Sequence, residues 1–317
     1  RNEDKATWIL DLQPIIEGNH SLSQASKPEN RPVQMRKPDW IRVRLRKSED
    51  YFDIARALRT FGLNTVCEEA HCPNSTECWG NRTATFMILG DVCTRSCRFC
   101  AVESARIGRP LDPTEPQRLA EAAKNLGIRY VVITSVDRDD LPDGGAEHFA
   151  GCVRAIKNLS PASKVEVLIP DFRGNTENLR KVVESQPDVI GHNIETVKRL
   201  QKRLRDPRAS YETSLKVLEN IKKLNRDMHT KSSLMVGIGE SESEVLEALE
   251  DLRDRGVDIV TIGQYLQPSK NHLPVEKYVR PEVFDRYKIE AERLGFKYVF
   301  SGPLVRSSYH ASEPFLL

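Results

Sequence analysis

Six of the chain's seven cysteines fall into two triplets: Cys67, Cys72 and Cys78 in CEEAHCPNSTEC, and Cys93, Cys97 and Cys100 in CTRSCRFC. Thiolates so spaced are ligands for metal or iron–sulfur, and three are one short of the four that close a zinc site or a ferredoxin-type cluster. Each triplet can therefore hold a 4Fe–4S cluster at three irons and leave the fourth iron for another ligand. Two other readings compete. A disulfide framework belongs to short secreted chains with even cysteine counts, a poor fit to odd triplets in 317 residues with no signal peptide before them. Structural zinc favours C-x2-4-C pairs supplying four ligands, whereas the intervals here are four and five residues, then three and two. The seventh cysteine, Cys152, lies in the helical run AEHFAGCVRAIKNL and reads as a small core residue.

The elements that must carry these triplets alternate along the chain. TFMILGDV leads into the second triplet as a buried strand. YVVITSV (130–136), KVEVLIP (164–170), DVIGHNI (188–194), SSLMVGI (232–238) and DIVTIGQY (258–265) follow. Short β-branched runs of this kind suit parallel buried strands. Amphipathic helices separate them. Thr114 with Gln117 marks one start and Gly127 its end, Ser241 with Glu244 marks another, and PEVFDRYKIEAERLG stops at Gly295. Six β/α units in a row predict an α/β fold, a partial TIM-type (β/α)6 barrel, with a doubly wound open sheet as the alternative. We divide the chain into a flexible extension (1–36), a segment holding the first triplet (37–83), the barrel (84–270) and a C-terminal extension (271–317). In a barrel the chemistry belongs at the carboxyl ends of the strands. There the sequence places Thr134, Ser135 and Asp137, then Asp171 and Arg173, Asn193 and Glu195, and Gln264 and Gln267; helix N-capping explains many such residues equally well.

Composition excludes other classes. The chain is 39% hydrophobic and 30% charged, enough for one principal core with extensions, and its net charge of +2 argues against a general nucleic-acid binder. No apolar run approaches the roughly 18–20 residues of a membrane span. Thiolate clusters need reducing conditions, and Glu3, Asp4, Asp11 and Glu17 argue against a transit peptide, so a cytoplasmic protein is expected.

C-x3-C-x2-C with Phe99 before its last cysteine resembles the radical S-adenosylmethionine superfamily. That likeness implies that the open iron chelates S-adenosylmethionine and that the reduced cluster cleaves it to a 5′-deoxyadenosyl radical. DGGA at 143–146 resembles the superfamily's glycine motif, which implies cofactor contacts at Gly144 and Gly145; Ala146 stands where a glutamate is frequent. Thr134, Ser135, Asn193, Glu195 and Met235 are further candidates for the cofactor.

Both triplets, TSVDRDDLPDGGA and GPLVRSSYHA (302–311), in that order, resemble the lipoyl synthases over nearly the whole length. The weaker stretches KPDWIRVRL, HNIET, KSSLMVGIGE and QYLQPSKNHLPV agree. The resemblance implies an auxiliary 4Fe–4S cluster on Cys67, Cys72, Cys78 and a serine of RSSY, taken as Ser308 rather than Ser307, with Arg306 organising the cluster or the acyl chain. It implies insertion of two sulfurs, at carbons 6 and 8 of an octanoyl-lysine chain, using two S-adenosylmethionine and the auxiliary cluster as sulfur donor. The implied partners are octanoylated lipoyl-domain proteins (2-oxoacid dehydrogenase acyltransferase subunits and the glycine cleavage H protein), a reductant such as ferredoxin or flavodoxin, and an iron–sulfur carrier. Residues 31–47 hold seven Arg or Lys against one acidic residue, Asp39, and Arg42 and Arg44 could dock an acidic carrier. A methylthiotransferase acting on RNA is the competing enzyme class, and a zinc-stabilised interaction protein the non-enzymatic one.

Overall fold

The computed structural model describes residues 36–42, 48–70 and 72–316. The chain divides into two units, Arg1–Gln34 and Met35–Leu317, and every described residue belongs to the second. The expected N-terminal extension lies outside the described residues, apart from Arg36.

In chain order the elements are α1 (Glu49–Phe61), β1 (Asn64–Thr65), α2 (Val66–Glu69), α3 (Ser75–Gly80), β2 (Thr85–Ile88), β3 (Val92–Cys93), β4 (Glu103–Ser104), α4 (Glu115–Asn125), β5 (Tyr130–Ser135), α5 (Ala146–Leu159) and β6 (Lys164–Leu168). Then come α6 (Thr176–Glu184), β7 (Val189–Gly191), α7 (Gln201–Leu204), α8 (Tyr211–Leu224), β8 (His229–Val236), α9 (Glu242–Asp254), β9 (Ile259–Gln264), α10 (Pro281–Arg293), β10 (Tyr298–Gly302) and α11 (Glu313–Leu316). One sheet runs β1-β2-β5-β6-β7-β8-β9-β10. Strand β1 is antiparallel to β2, and every other pairing in this sheet is parallel.

All six expected strands are present, and β10 adds a seventh parallel one from within the expected C-terminal extension. The sheet is curled rather than open and flat. The ring of Phe315 lies 5.8 Å from that of Tyr130 on β5, 5.4 Å from His229 on β8 and 6.2 Å from Tyr298 on β10. In a flat sheet β5 and β10 would stand about 24 Å apart, at about 4.8 Å per strand. Successive side chains on a strand face opposite ways. Val131 and Ile133 of β5 accordingly join the helix-facing core, while Tyr130 and Val132 turn inward to Ala311. Across the interior, Lys231 of β8 pairs with Glu166 of β6 at 2.8 Å, and the Tyr130 hydroxyl donates to the same carboxylate at 2.7 Å.

Helix ends follow local chemistry. Ser241 and Glu244 form a complete capping box at the start of α9. Thr114 occupies the N-cap position of α4 without capping it; its hydroxyl donates instead to Asp112 at 2.7 Å. The apolar face expected there is buried nonetheless, through Leu119, Ala122 and Ala123. Cys152 is fully buried in α5, as a core residue should be.

Candidate active site

Strand β2 delivers the second triplet to the carboxyl rim. There β3 and β4 form a small parallel ladder that contains Cys93. Each thiol of this loop meets a backbone N–H. Arg95 and Asp137 donate to Cys93 Sγ at 3.4 and 3.3 Å, Asp206 donates to Cys97 Sγ at 3.3 Å, and the Val102 amide faces Cys100. Burial still dominates, raising Cys93 to about 11 and Cys97 to about 12, with Cys100 also raised. Buried thiols that resist ionising become ligands when a metal supplies the positive charge, with release of their protons.

The loop is clamped from three sides. Arg95, inside CTRSC, is buried and donates to both Asp171 oxygens at 2.7 Å and to Asp139 at 2.8 Å. These carboxylates follow β6 and β5, so one guanidinium ties the loop to two strand ends. Ser96 N donates to Asp206 at 3.0 Å, Arg98 N to the Leu204 carbonyl at 2.8 Å, and Leu273 N to the Arg98 carbonyl at 3.2 Å. Asp137 faces the same thiols and is pushed up to about 6 by burial, against the pull of Arg95. Asp171 thus serves the loop rather than standing free, and Arg95 was not a sequence candidate. Its only early signal was a charged residue between two ligand cysteines.

The remaining rim candidates separate by partner. Ser135 Oγ is buried and, among the described residues, has no hydrogen-bond partner, as a ligand-facing hydroxyl would. Thr134 is already engaged, donating to the Leu168 carbonyl at 3.0 Å. Glu195 follows β7 in the left-handed region (φ 66°), where burial raises its pKa and Asn193 hydrogen-bonds to it; its charge acts on Cys100. Met235 is half-buried on β8. Gly144 and Gly145 open α5 with φ 63° and 88°. At φ 88° a side chain is strained at Gly145, and its Cβ would also stand 2.3 Å from Leu89 Cδ1, which would have to move aside.

The first triplet lies elsewhere, beside the start of β2. Cys67 follows β1, and its thiol faces the backbone N–H of Thr85 and the indole of Trp79. Burial raises Cys67 to about 11 and Cys78 to about 12, and Cys72 adds to both. Trp79 Nε1 and Asn74 Oδ1 are buried and, among the described residues, without hydrogen-bond partners; the indole N–H lies beside Cys67 without completing a bond.

The C-terminal segment comes back to this triplet through the barrel. After β10 the Val305 carbonyl presses on β9 so closely that a Cβ on Gly263 would meet it at 2.1 Å. Arg306 donates to that carbonyl at 2.7 Å; burial lowers its pKa and Cys72 opposes the shift. Thr85 Oγ1 donates to Ser308 Oγ at 2.8 Å, and Thr85 N–H faces Cys67. Ser308, not Ser307, makes this contact. Asn74 Nδ2 donates to the Leu304 carbonyl at 2.7 Å. The structure therefore gathers Cys67, Cys72, Cys78, Arg306 and Ser308 on one side and Cys93, Cys97, Cys100, Asn193 and Glu195 on the other.

Among the described residues no three His, Cys, Asp or Glu side chains converge as a single bound ion requires. A cluster makes a different demand, with each thiolate on its own iron and N–H donors on the sulfurs. N–H groups stand beside thiols of both triplets, those of Thr85 and Trp79 at Cys67 and the amides of Arg95, Asp137 and Asp206 at Cys93 and Cys97. Of the basic run, Arg42 is exposed and pairs with Asp39 at 2.9 Å, while Arg44 lies outside the described residues.

Residues 87–252 match the family model of the radical SAM superfamily. The chain is 52% identical to the lipoyl synthase of Thermus thermophilus over 308 residues, covering 97% of this chain and 94% of that one. The chain belongs to the lipoyl synthase family. It is 57% identical to the lipoyl synthase of Caldanaerobacter subterraneus subsp. tengcongensis over 279 residues, 88% of this chain and 97% of that one. Like other lipoyl synthases it is a radical S-adenosylmethionine enzyme that inserts sulfur. Among solved structures, methylornithine synthase matches with a TM-score of 0.51 at 16% identity, over 68% of this chain and 63% of that one. The FeFe-hydrogenase maturase from Carboxydothermus hydrogenoformans matches with 0.51 at 11%, over 73% and 65%. These two share the lipoyl synthase fold alone.

Proposed function

We propose that the chain inserts two sulfur atoms, at carbons 6 and 8, into an octanoyl chain borne on a lysine of a lipoyl-domain protein. The observation that supports this reading is the contact of Ser308 with Thr85, whose N–H faces Cys67, because it brings a candidate fourth ligand toward a site where three cysteines leave one iron open. A cluster on Cys67, Cys72, Cys78 and Ser308 is then a substrate, the sulfur donor. Serine oxygen is a harder and more easily displaced ligand than thiolate, which suits a cluster that must open.

The resident cluster belongs on Cys93, Cys97 and Cys100, where with S-adenosylmethionine it supplies a carbon radical able to take hydrogen from an unactivated methylene. Around it Arg95 holds the loop to β5 and β6, and the amides of Arg95, Asp137 and Asp206 brace the sulfurs. Ser135 offers an unused hydroxyl, and Asn193 and Glu195 a hydrogen-bonding edge for the cofactor ribose. Thr134 shapes the rim, Gly144 and Gly145 permit close approach, and Met235 lines the adenine side. Arg306 faces the first triplet as a counter-charge to an anionic cluster. The reaction requires a shielded site, because a free carbon radical would be quenched.

Residues 37–83 and, within the expected extension 271–317, the segment after β10 build the donor site, while β10 itself joins the barrel of 84–270. The partners follow from the reaction: octanoylated acyltransferase subunits or H protein, a ferredoxin or flavodoxin reductant, and an iron–sulfur carrier to rebuild the donor. Among the described residues no helix is long and apolar enough to cross a membrane, and thiolate clusters favour a reducing cytoplasm.

The test is iron and sulfide content after anaerobic reconstitution, in the parent and in a Cys93/Cys97/Cys100→Ala variant. About eight irons should fall to about four, as two 4Fe–4S clusters require, with S-adenosylmethionine cleavage abolished. Four irons in the parent, or zinc in their place, would remove the sulfur source and with it the reading.

A further inference from the structure

The segment that carries Ser308 is held by more than Ser308. Leu304 accepts from Asn74, which lies between Cys72 and Cys78. The Tyr309 hydroxyl donates to both oxygens of Glu77, at 3.1 and 3.2 Å, and Glu77 adjoins Cys78 on α3. His310 reaches the same carboxylate at 3.3 Å, and its other nitrogen pairs with Glu313. Beyond it, Phe315 seats its ring among Tyr130, His229 and Tyr298, at the amino ends of β5, β8 and β10. These ties run on both sides of Ser308, and none of them uses an atom of the three cysteines.

We infer that Tyr309 with Glu77, and Phe315 with its aromatic seat, are positioning residues that set how readily Ser308 leaves the donor site. The inference rests on Ser308 being the fourth ligand of that site. A serine oxygen bound weakly enough to be displaced needs its backbone delivered by other contacts, or the iron it covers is open continuously. Glu77 and Cys78 are neighbours on one short helix, so the clasp joins ligand-bearing helix and ligand-bearing tail directly. Phe315 anchors the far end, making opening a concerted release of tail residues rather than a side-chain rotation. The donor iron is thus exposed only when clasp and anchor let go together, the state in which an iron–sulfur carrier could rebuild the site.

The experiment follows iron leaving the reconstituted two-cluster enzyme under an anaerobic chelator, by loss of cluster absorbance, in the parent, Tyr309→Phe, Phe315→Ala, Phe315→Leu and Ser308→Ala. In Tyr309→Phe and Phe315→Ala the iron of the first triplet should leave about fivefold faster, as loss of one hydrogen bond or one aromatic contact allows. Phe315→Leu should restore most of the parent rate, and the second cluster should leave at the parent rate throughout. Hydrogen exchange of the peptide covering residues 303–316 should rise in the same two variants without chelator. If Ser308→Ala accelerates loss while Tyr309→Phe and Phe315→Ala do not, the positioning role is overturned and the ligand role stands. If Ser308→Ala also leaves the rate unchanged, Ser308 is not the ligand and both ideas fall.

Discussion

Thr85 and Ser308 are 223 residues apart in the chain, yet their hydroxyls meet at 2.8 Å. Thr85 opens β2, the strand that leads to the second triplet, while its backbone N–H faces Cys67 of the first. One residue therefore meets Ser308 and Cys67 with two groups and starts the strand that leads to the second triplet.

Replacing Ser308 by Ala should separate the two chemistries. Cleavage of S-adenosylmethionine with an octanoylated carrier present should persist, while formation of the lipoyl product falls by at least about a hundredfold, the scale on which loss of a positioned group is felt. Mass spectrometry of the carrier peptide, beside a count of 5′-deoxyadenosine, reads both. Equal loss of the two products would place Ser308 in the radical site instead.

Arg95→Ala should have the complementary effect. Asp171 would be left buried without its ionic partner, while Asp139 keeps Arg173 and Arg208, and breaking a buried pair costs about 3–5 kcal/mol. The second-triplet loop loses its tie to β5 and β6, so iron at that triplet should be lost while iron at Cys67, Cys72 and Cys78 remains. Arg95→Lys should recover little, because an ammonium cannot reproduce the two-pronged bond to Asp171. Iron per chain and a urea midpoint measure the two consequences.

His192 sets an acid limit on the fold. It is fully enclosed behind β7, with Nδ1 at 2.9 Å from the Ile169 carbonyl and Nε2 at 2.9 Å from Ser214 Oγ. Burial lowers its pKa to about 4. A depressed histidine contributes stability that is fully present above its unfolded value, near 6.5, and is lost as pH falls toward the folded one. Between pH 7.5 and 5.0 the chain should lose about 2 kcal/mol from this group. Denaturant titrations of the metal-free chain should show that loss, and His192→Gln should flatten it.

Gly145→Ala tests the entry to α5. The residue would have to adopt φ 88° and share space with Leu89 Cδ1 at 2.3 Å. Backbone strain of about 1–3 kcal/mol should lower the thermal midpoint. Adding Leu89→Ala should relieve the clash but not the strain, so recovery should be partial. Full recovery would assign the glycine to packing alone.

Much of the architecture was legible because it is locally encoded. Six parallel strands announced themselves as β-branched runs, and Ser241 with Glu244 announced a helix start through bonds spanning three residues. Thr114 misled because Asp112, two residues upstream, competes for its hydroxyl. Strand β10 escaped notice because its side chains are only half-buried, leaving no continuous apolar run. It exists because β9 offers an unpaired edge, and an edge is a property of the sheet.

The two cysteine spacings by themselves determined two three-thiolate sites, and the resemblance of the ordered motifs to the lipoyl synthases implied the radical chemistry and a candidate fourth ligand in RSSY. Ligand type and spacing are local, so sequence carries them. Only the tertiary structure decided which residues share a site. Arg95 gathers Asp139 and Asp171 because two strand ends lie under one loop. Ser308 reaches Thr85 and Phe315 reaches Tyr130 because the sheet curls until its last strand delivers the tail past its first. Contacts of that kind depend on the curvature of the whole sheet, which no single stretch of sequence contains.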